Sequence, residues 1–363
     1  MCYSWFSFSN SLRYFHHIGV LFLLPTIAIT SKYYTIKPYH NADIFPHYGN
    51  VSVFDTTQKK LSDIANFTFD VHDQSDLYYF VAGPVAVNPD LHLIYMPIQC
   101  ATAFQRLLLF SYNYKTKEYR QSKWILKDGG FHMLHYDPLR KRLFGLRDVA
   151  TFTMFIEEYD TITLDVVKIY TKQDGEKYTF PFAWCSCFDY NENWVIQVRT
   201  RFENPSVNAY WLKMDLNLVG VKEDIVTDFH LMPNVHNFLT MTYDIEKTKL
   251  ILCTWQHGSI ELSLYMFHLD PHQSGKFPYK NESLVLLYKT KEGEDIEVTK
   301  DVWNPVKREV LFMIQTQNDE TFKTTNYMLR VQFDTLAILE KTVLTEKQLP
   351  LFELWEYFYL PDN

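Results

Sequence analysis

The chain has 363 residues, 47% of them hydrophobic and 17% aromatic, and a formal net charge of −8. That composition supplies a large apolar core and excludes disordered or low-complexity organisation. The acidic balance, relieved only by the short basic stretches "PLRKRLFGLR" and "YKTKEYRQSK", argues against binding to nucleic-acid phosphates.

In chain order, the first predicted element is Ile18 to Thr30, "IGVLFLLPTIAIT", a run of 13 uncharged residues preceded by Arg13, His16 and His17. It fits the apolar region of a signal peptide and falls short of the ~20 residues that span a bilayer. Residues 1–30 are therefore expected to be a signal peptide of a secreted protein, with an uncleaved membrane anchor as the alternative. Residues 31–48 read as an N-terminal extension and 49–363 as one domain. Three glycosylation sequons, at Asn50, Asn66 and Asn281, agree with an extracellular destination. Cleavage would leave Cys100, Cys185, Cys187 and Cys253, which are read either as one or two disulfides or as buried thiols.

From Asn50 onward a hydrophobic run, then Asp or Asn, then a turn and a second run recur in two interleaved series. The first carries Asp55, Asn113, Asp160, Asp215, Asp270 and Asp334, at spacings of 58, 47, 55, 55 and 64. The second falls between them, at Asn88, Asp137, Asp189, Asp244 and Asn304. Asp and Asn accept hydrogen bonds from backbone amides one or two residues on, and Pro89, Pro138, Pro271 and Pro305 fix φ beside four of them. The flanking runs are rich in Val, Ile, Leu, Phe and Tyr, as strands require. Two hairpins per period make a four-stranded unit of ~50 residues, and such units bury both faces only by stacking into a closed ring. The predicted fold is all-β: a β-propeller of six four-stranded blades, or seven if Phe67 to Gly83 forms an extra hairpin. The C-terminal "FELWEYFYLPD" is expected to supply the inner strands of a closing blade and the segment near Asn50 its outer ones.

The Asp turn followed by an apolar pair, as in "YDPLRKRLFGL", resembles the layout of the NHL, "YVTN" and gluconolactonase-like propellers over residues 50 to 360, without the blade signatures of any specific family. For the gluconolactonase type, that resemblance implies a calcium-dependent hydrolase with its site at the central channel.

The segments that enter the inner strands are where a channel site is expected. They place His132, His135, Trp184, His236, Asp301 and Glu353 as candidate channel-lining residues. Asp301 and Glu353 are candidate oxygen ligands for Ca²⁺, and the three histidines invite a transition-metal reading. Against it, a chain with 13 histidines puts a few near any axis. No nucleophilic triad, phosphate loop or nucleotide motif is present. The leading functional expectation is an extracellular binding or interaction module for a protein or small molecule. A metal-dependent hydrolase or lactonase is the alternative.

Overall fold

A computed structural model describes residues 32–39, 47–69, 79–81, 85–100, 106–123, 125–126, 131–149, 153–173, 186–200, 209–217, 224–229, 235–256, 261–269, 279–291, 293–345, 348 and 356–360. Strands and turns make up the described residues, and the strands pair antiparallel in six sheets.

Five sheets are regular four-stranded blades, each meandering from an inner to an outer strand. One comprises β10 (Phe131–Asp137), β11 (Arg142–Val149), β12 (Thr153–Tyr159) and β13 (Val166–Gln173). The next is β14 (Ser186–Asp189), β15 (Trp194–Thr200), β16 (Ala209–Asp215) and β17 (Asp224–Phe229). A third is β18 (Val235–Asp244), β19 (Lys249–Gln256), β20 (Glu261–Leu269) and β21 (Tyr279–Lys289). The fourth is β22 (Glu294–Asn304), β23 (Glu309–Asn318), β24 (Thr324–Gln332) and β25 (Ile338–Leu344). The fifth joins the two ends of the chain: β26 (Glu356–Tyr359) pairs with β1 (Lys32–Tyr39), followed by β2 (His47–Asp55) and β3 (Lys60–Phe69).

The sixth sheet departs from the expected unit. Its inner edge is split into β4 (Tyr79–Val81) and β5 (Ala86–Asn88), both paired with β6 (Leu93–Cys100). Its outer edge is split into β8 (Tyr119–Gln121) and β9 (Ile125–Leu126), both paired with β7 (Arg106–Asn113). The all-β propeller class holds, but the expected six or seven four-stranded blades are corrected to five among the described residues, the remaining sheet having split edges in place of single inner and outer strands. Within Phe67 to Gly83 the described residues form only the end of β3 and the short β4.

Closure also differs from the expectation. The C-terminus gives one inner strand, and the N-terminal side gives three. Residues 32–39, assigned from sequence to an extension, are the second strand of that blade. The physical reason is that "KYYTI" has two apolar faces. Strand alternation sends Tyr33 into the core shared with β22–β25 and Ile36 into the core shared with β6 and β7, and both are fully buried.

Core clusters lie between neighbouring sheets, as stacking of two-sided sheets requires. Tyr95 and Leu109 pack with Leu134, Leu143 and Tyr159; Met133, Phe144 and Ile156 pack with Phe188 and Val195. Leu264 and Met266 pack with Phe312 and Leu329.

The turns form as the two series predict. Asp137 Oδ1 accepts the amides of Leu139 and Arg140, each at 3.0 Å. Asp55, Asn113, Asp160 and Asp189 bond the amides two and three residues on in the same way. The residue four past the marker then takes a left-handed backbone, as at Lys59, Lys141, Leu164 and Thr248, with φ of 52°, 53°, 63° and 50°. That conformation reconnects the turn to the next strand and is costly for side chains with a Cβ.

Two markers need comment. Asp270 lies outside the described residues. Asp334 is not the first residue of its turn; Gln332 is, with Leu336 left-handed four residues on, and Asp334 turns its carboxylate to Arg308 and Lys247 instead.

Candidate functional site

Because strands alternate direction, the inner hairpin turns at Asn88, Asp137, Asp189, Asp244 and Asn304 gather at one end of the ring. Beneath them the inner strands enclose a cavity of about 540 Å³. Its wall comes from β10 (Leu134, His135), β14 (Ser186, Cys187, Phe188), β18 (Met241 to Asp244) and β22 (Asp301, Trp303). The turns add Tyr190, Ile245, Glu246, Pro305 and Arg308 at its mouth.

The second-series aspartates serve two purposes there. One carboxylate oxygen closes the hairpin and the other ties neighbouring strands or sheets. Asp137 Oδ2 accepts Arg142 Nη2 at 2.8 Å, and the same guanidinium reaches Asn193 of the next sheet. Asp189 Oδ2 accepts the Tyr243 hydroxyl at 2.7 Å across a sheet junction. Burial, with the Asp189 carboxylate beside it, raises the Tyr243 phenol and keeps it neutral. Arg308 Nη2 donates to Asp244 Oδ2 at 2.6 Å, and Arg308 Nε donates to Asp334 Oδ2 at 2.8 Å. Lys247 adds a 3.0 Å contact to Asp334. Arg308 and then Lys247 hold the Asp334 carboxyl well below its ordinary range.

Other polar groups on the wall are less well satisfied. Thr242 donates its hydroxyl to Asp301 Oδ2 in a short hydrogen bond. Burial raises Asp301 above the usual carboxylate range, and the Thr242 hydroxyl only partly offsets it. His135 packs its ring against Phe188 and Phe144, with centroids 6.1 and 6.0 Å away. Its Nε2 is sealed from solvent without a hydrogen-bond partner, and burial pushes its pKa down to about 4, so the ring is neutral at pH 7. The Ser186 hydroxyl is also buried without a partner. Cys187 is a free, buried thiol on the wall, raised by burial and by Asp189.

Of the candidate channel-lining residues, the cavity brings together His135 and Asp301. His132 and His236 lie on β10 and β18, each at a break in strand register, and their side chains are outside the described residues. Trp184, Glu353 and Cys185 are outside the described residues altogether. Cys253, on β19, is a free buried thiol like Cys187, so neither forms a disulfide; the Cys100 side chain is not described. Asn66 is exposed on β3 and Asn50 stands opposite it on β2, where its amide donates to Asp63 at 3.1 Å. The side chain of Asn281 is not described.

Sequence reasoning missed Ser186, Thr242, Tyr243, Glu246 and Arg308. It placed the site at the loops entering the inner strands, whereas the described cavity opens at their exits. Tyr243 and Arg308 sit immediately before or four after a marker Asp or Asn, which was the available signal.

No group of three or more His, Cys, Asp or Glu converges as metal ligands among the described residues. Asp189 and Asp244 have both oxygens engaged, and Asp301 spends one on Thr242. The described part of this wall leaves few carboxylate oxygens open for calcium, which takes six to eight.

No protein-family model matches the chain, and no curated protein sequence does. Among solved structures, it is similar to the periplasmic gluconolactonase of Pseudomonas aeruginosa, at 8% identity and a TM-score of 0.55, over 86% of this chain and 83% of that one. It is also similar to a putative 6-phosphogluconolactonase of Bacteroides uniformis, at 9% identity and a TM-score of 0.51, over 86% and 83% of the two chains. A second putative 6-phosphogluconolactonase, from Bacteroides fragilis, gives 10% identity and a TM-score of 0.50 over 87% and 82%. The chain is a β-propeller. At these identities the likeness extends to the fold alone.

Proposed function

We propose that this chain is a secreted glycoprotein whose propeller binds a small ligand in the axial cavity. The observation that carries the reading is the cavity of about 540 Å³ under the inner turns, which combines aromatic surface from Phe188, Tyr190, Tyr243 and Trp303 with the part-buried carboxyl of Asp301. Concave sites of this size that pair apolar and aromatic surface with a few polar groups are where small ligands bind. The apolar run before Thr30 and the sequons at Asn50, Asn66 and Asn281 support secretion. Expression of the full chain in cultured eukaryotic cells tests this half. Glycosidase-sensitive protein in the medium is expected, and protein retained unglycosylated in the cytosol refutes it. Thermal-shift screening of a small-molecule collection tests the binding half. Saturable stabilisation, abolished by filling the cavity with Ser186→Phe, is the expected result.

A second reading, a hydrolase or lactonase, is favoured by Asp301 and His135 sharing one cavity. Burial raises the Asp301 carboxyl and lowers the His135 imidazole, and a carboxyl and an imidazole sharing one cavity are the residue types that general acid–base chemistry uses. The gluconolactonase and putative 6-phosphogluconolactonases of the same fold suggest sugar lactones as first substrates to assay. Turnover lost in Asp301→Asn would establish it, and no turnover on any lactone would remove it.

A further inference from the structure

We propose that the ligand of the axial cavity is a small organic cation carrying an apolar ring, its ammonium group paired with Asp301. The proposal rests on the ligand-binding reading of this cavity. Asp301 is a carboxyl on a buried wall whose described hydrogen-bonding partner is a neutral hydroxyl, Thr242, and it forms no ion pair among the described residues. Lys300, the preceding residue, is directed to the opposite face of β22 by strand alternation and offers only distant attraction. Buried carboxylates are found paired with cations, so this one lacks its counter-charge. The rest of the wall leans the same way. Three carboxyl groups, Asp244, Glu246 and Asp301, face one guanidinium, and that guanidinium of Arg308 is already spent on Asp244 and Asp334.

The same cavity supplies aromatic surface, from Phe188, Tyr190, Tyr243 and Trp303. Ring faces attract cations and pack flat apolar groups, so acid and aromatic walls together select a cationic, ring-bearing molecule over an anion. Thr242 occupies Asp301 Oδ2, whereas Oδ1 is neither sealed nor paired with a cation among the described residues, so it is the atom that an ammonium in the cavity would meet.

The test uses three molecules that differ only in charge on one scaffold: tyramine (cation), tyrosol (neutral) and 4-hydroxyphenylacetate (anion). Calorimetric titration of the full chain should give affinities in that order, with tyramine at least about tenfold tighter than the acid. Asp301→Asn, which keeps the shape and a partner for Thr242, should abolish the preference. The inference is overturned if the acid binds as well as the amine, or if Asp301→Asn leaves tyramine affinity unchanged. Selectivity of the wild-type protein for charge decides the matter even if the variant fails to fold. If tyrosol or the acid binds and tyramine does not, ligand binding stands and the cation falls. If none of the three binds and the compound screen is also silent, both fall.

Discussion

Replacing Asp137 should cost far more than replacing Asp160, although both close hairpins of the same geometry. Asp160 is at an outer turn, where Oδ1 accepts the amides of Ile162 and Thr163 at 2.8 and 2.7 Å and the turn is solvated. Losing that arrangement resembles loss of an exposed cap, about 1 kcal/mol. Asp137 makes the same two bonds, but its side chain is fully buried and its second oxygen accepts Arg142 at 2.8 Å and Arg140 at 3.3 Å. Arg142 is only 18% exposed, so Asp137→Ala leaves its guanidinium poorly solvated. Breaking a fully buried pair costs about 3–5 kcal/mol. Because Arg142 keeps some water and its bond to Asn193, roughly 2–3 kcal/mol is appropriate here. Adding the turn gives about 3–4 kcal/mol for Asp137→Ala against about 1 kcal/mol for Asp160→Ala. Asp137→Asn separates the parts, since it keeps the turn acceptor and loses the ion pair. It should cost nearly as much as the alanine variant, whereas Asp160→Asn should be close to neutral. Urea unfolding followed by tryptophan fluorescence, compared at equal m, measures all four. Equal losses for Asp137→Ala and Asp160→Ala, or a neutral Asp137→Asn, would refute the double role assigned to the inner aspartates.

Lys141 is exposed with φ of 53°, so Lys141→Gly should raise stability by about 0.5 kcal/mol, the relief of a left-handed side chain less the added freedom of the unfolded chain. Lys141→Val, β-branched at the same φ, should lower the melting temperature. For Asp334, the depressed folded-state pKa contributes stability that is present above the unfolded value near pH 4 and lost as pH falls through the lower folded value. Asp334→Asn should therefore lower stability at pH 7 and flatten its fall below about pH 4, read from melting temperatures across that range. His135 acts in the same direction at higher pH. Its pKa of about 4 in the fold, against about 6.5 unfolded, makes stability decline as pH drops through that interval, and His135→Phe should remove this portion. The buried Cys187 and Cys253 thiols, both raised by burial, should resist alkylation in the native protein and react on unfolding, as peptide mass analysis would reveal.

The repeat was legible because the hairpin is a local object. An Asp or Asn that captures the amides two and three residues on, between β-branched and aromatic runs, is specified within about a dozen residues, and ten of the eleven markers fall in the described residues. Where the reading missed, longer-range matters decided the structure. The assignment of Lys32–Tyr39 to the closing blade depends on neighbours contributed by β22–β25 and by β6 and β7, far along the chain, and "KYYTIKPY" carries no turn marker to announce it. Asp334 has the residue type of a turn former but stands two places late, and what occupies its carboxylate is Arg308 of a different hairpin.

The cavity was harder for a related reason. Its polar wall is assembled from residues next to turn markers, so their sequence context is fully explained by turn formation and offers no remaining anomaly. Asp189 and Asp244 illustrate this: one oxygen of each carboxylate does what any hairpin aspartate does, and only the position of the second oxygen, against Tyr243 or Arg308, reveals the site. Asp301 is the exception. It stands three residues before its marker, Asn304, on a strand with no turn to form, and a carboxylate there has no local reason to exist. The sequence singled it out as one of two carboxylates on the segments entering the inner strands, and the missing counter-charge beside it in the fold points to a ligand rather than to the hairpin.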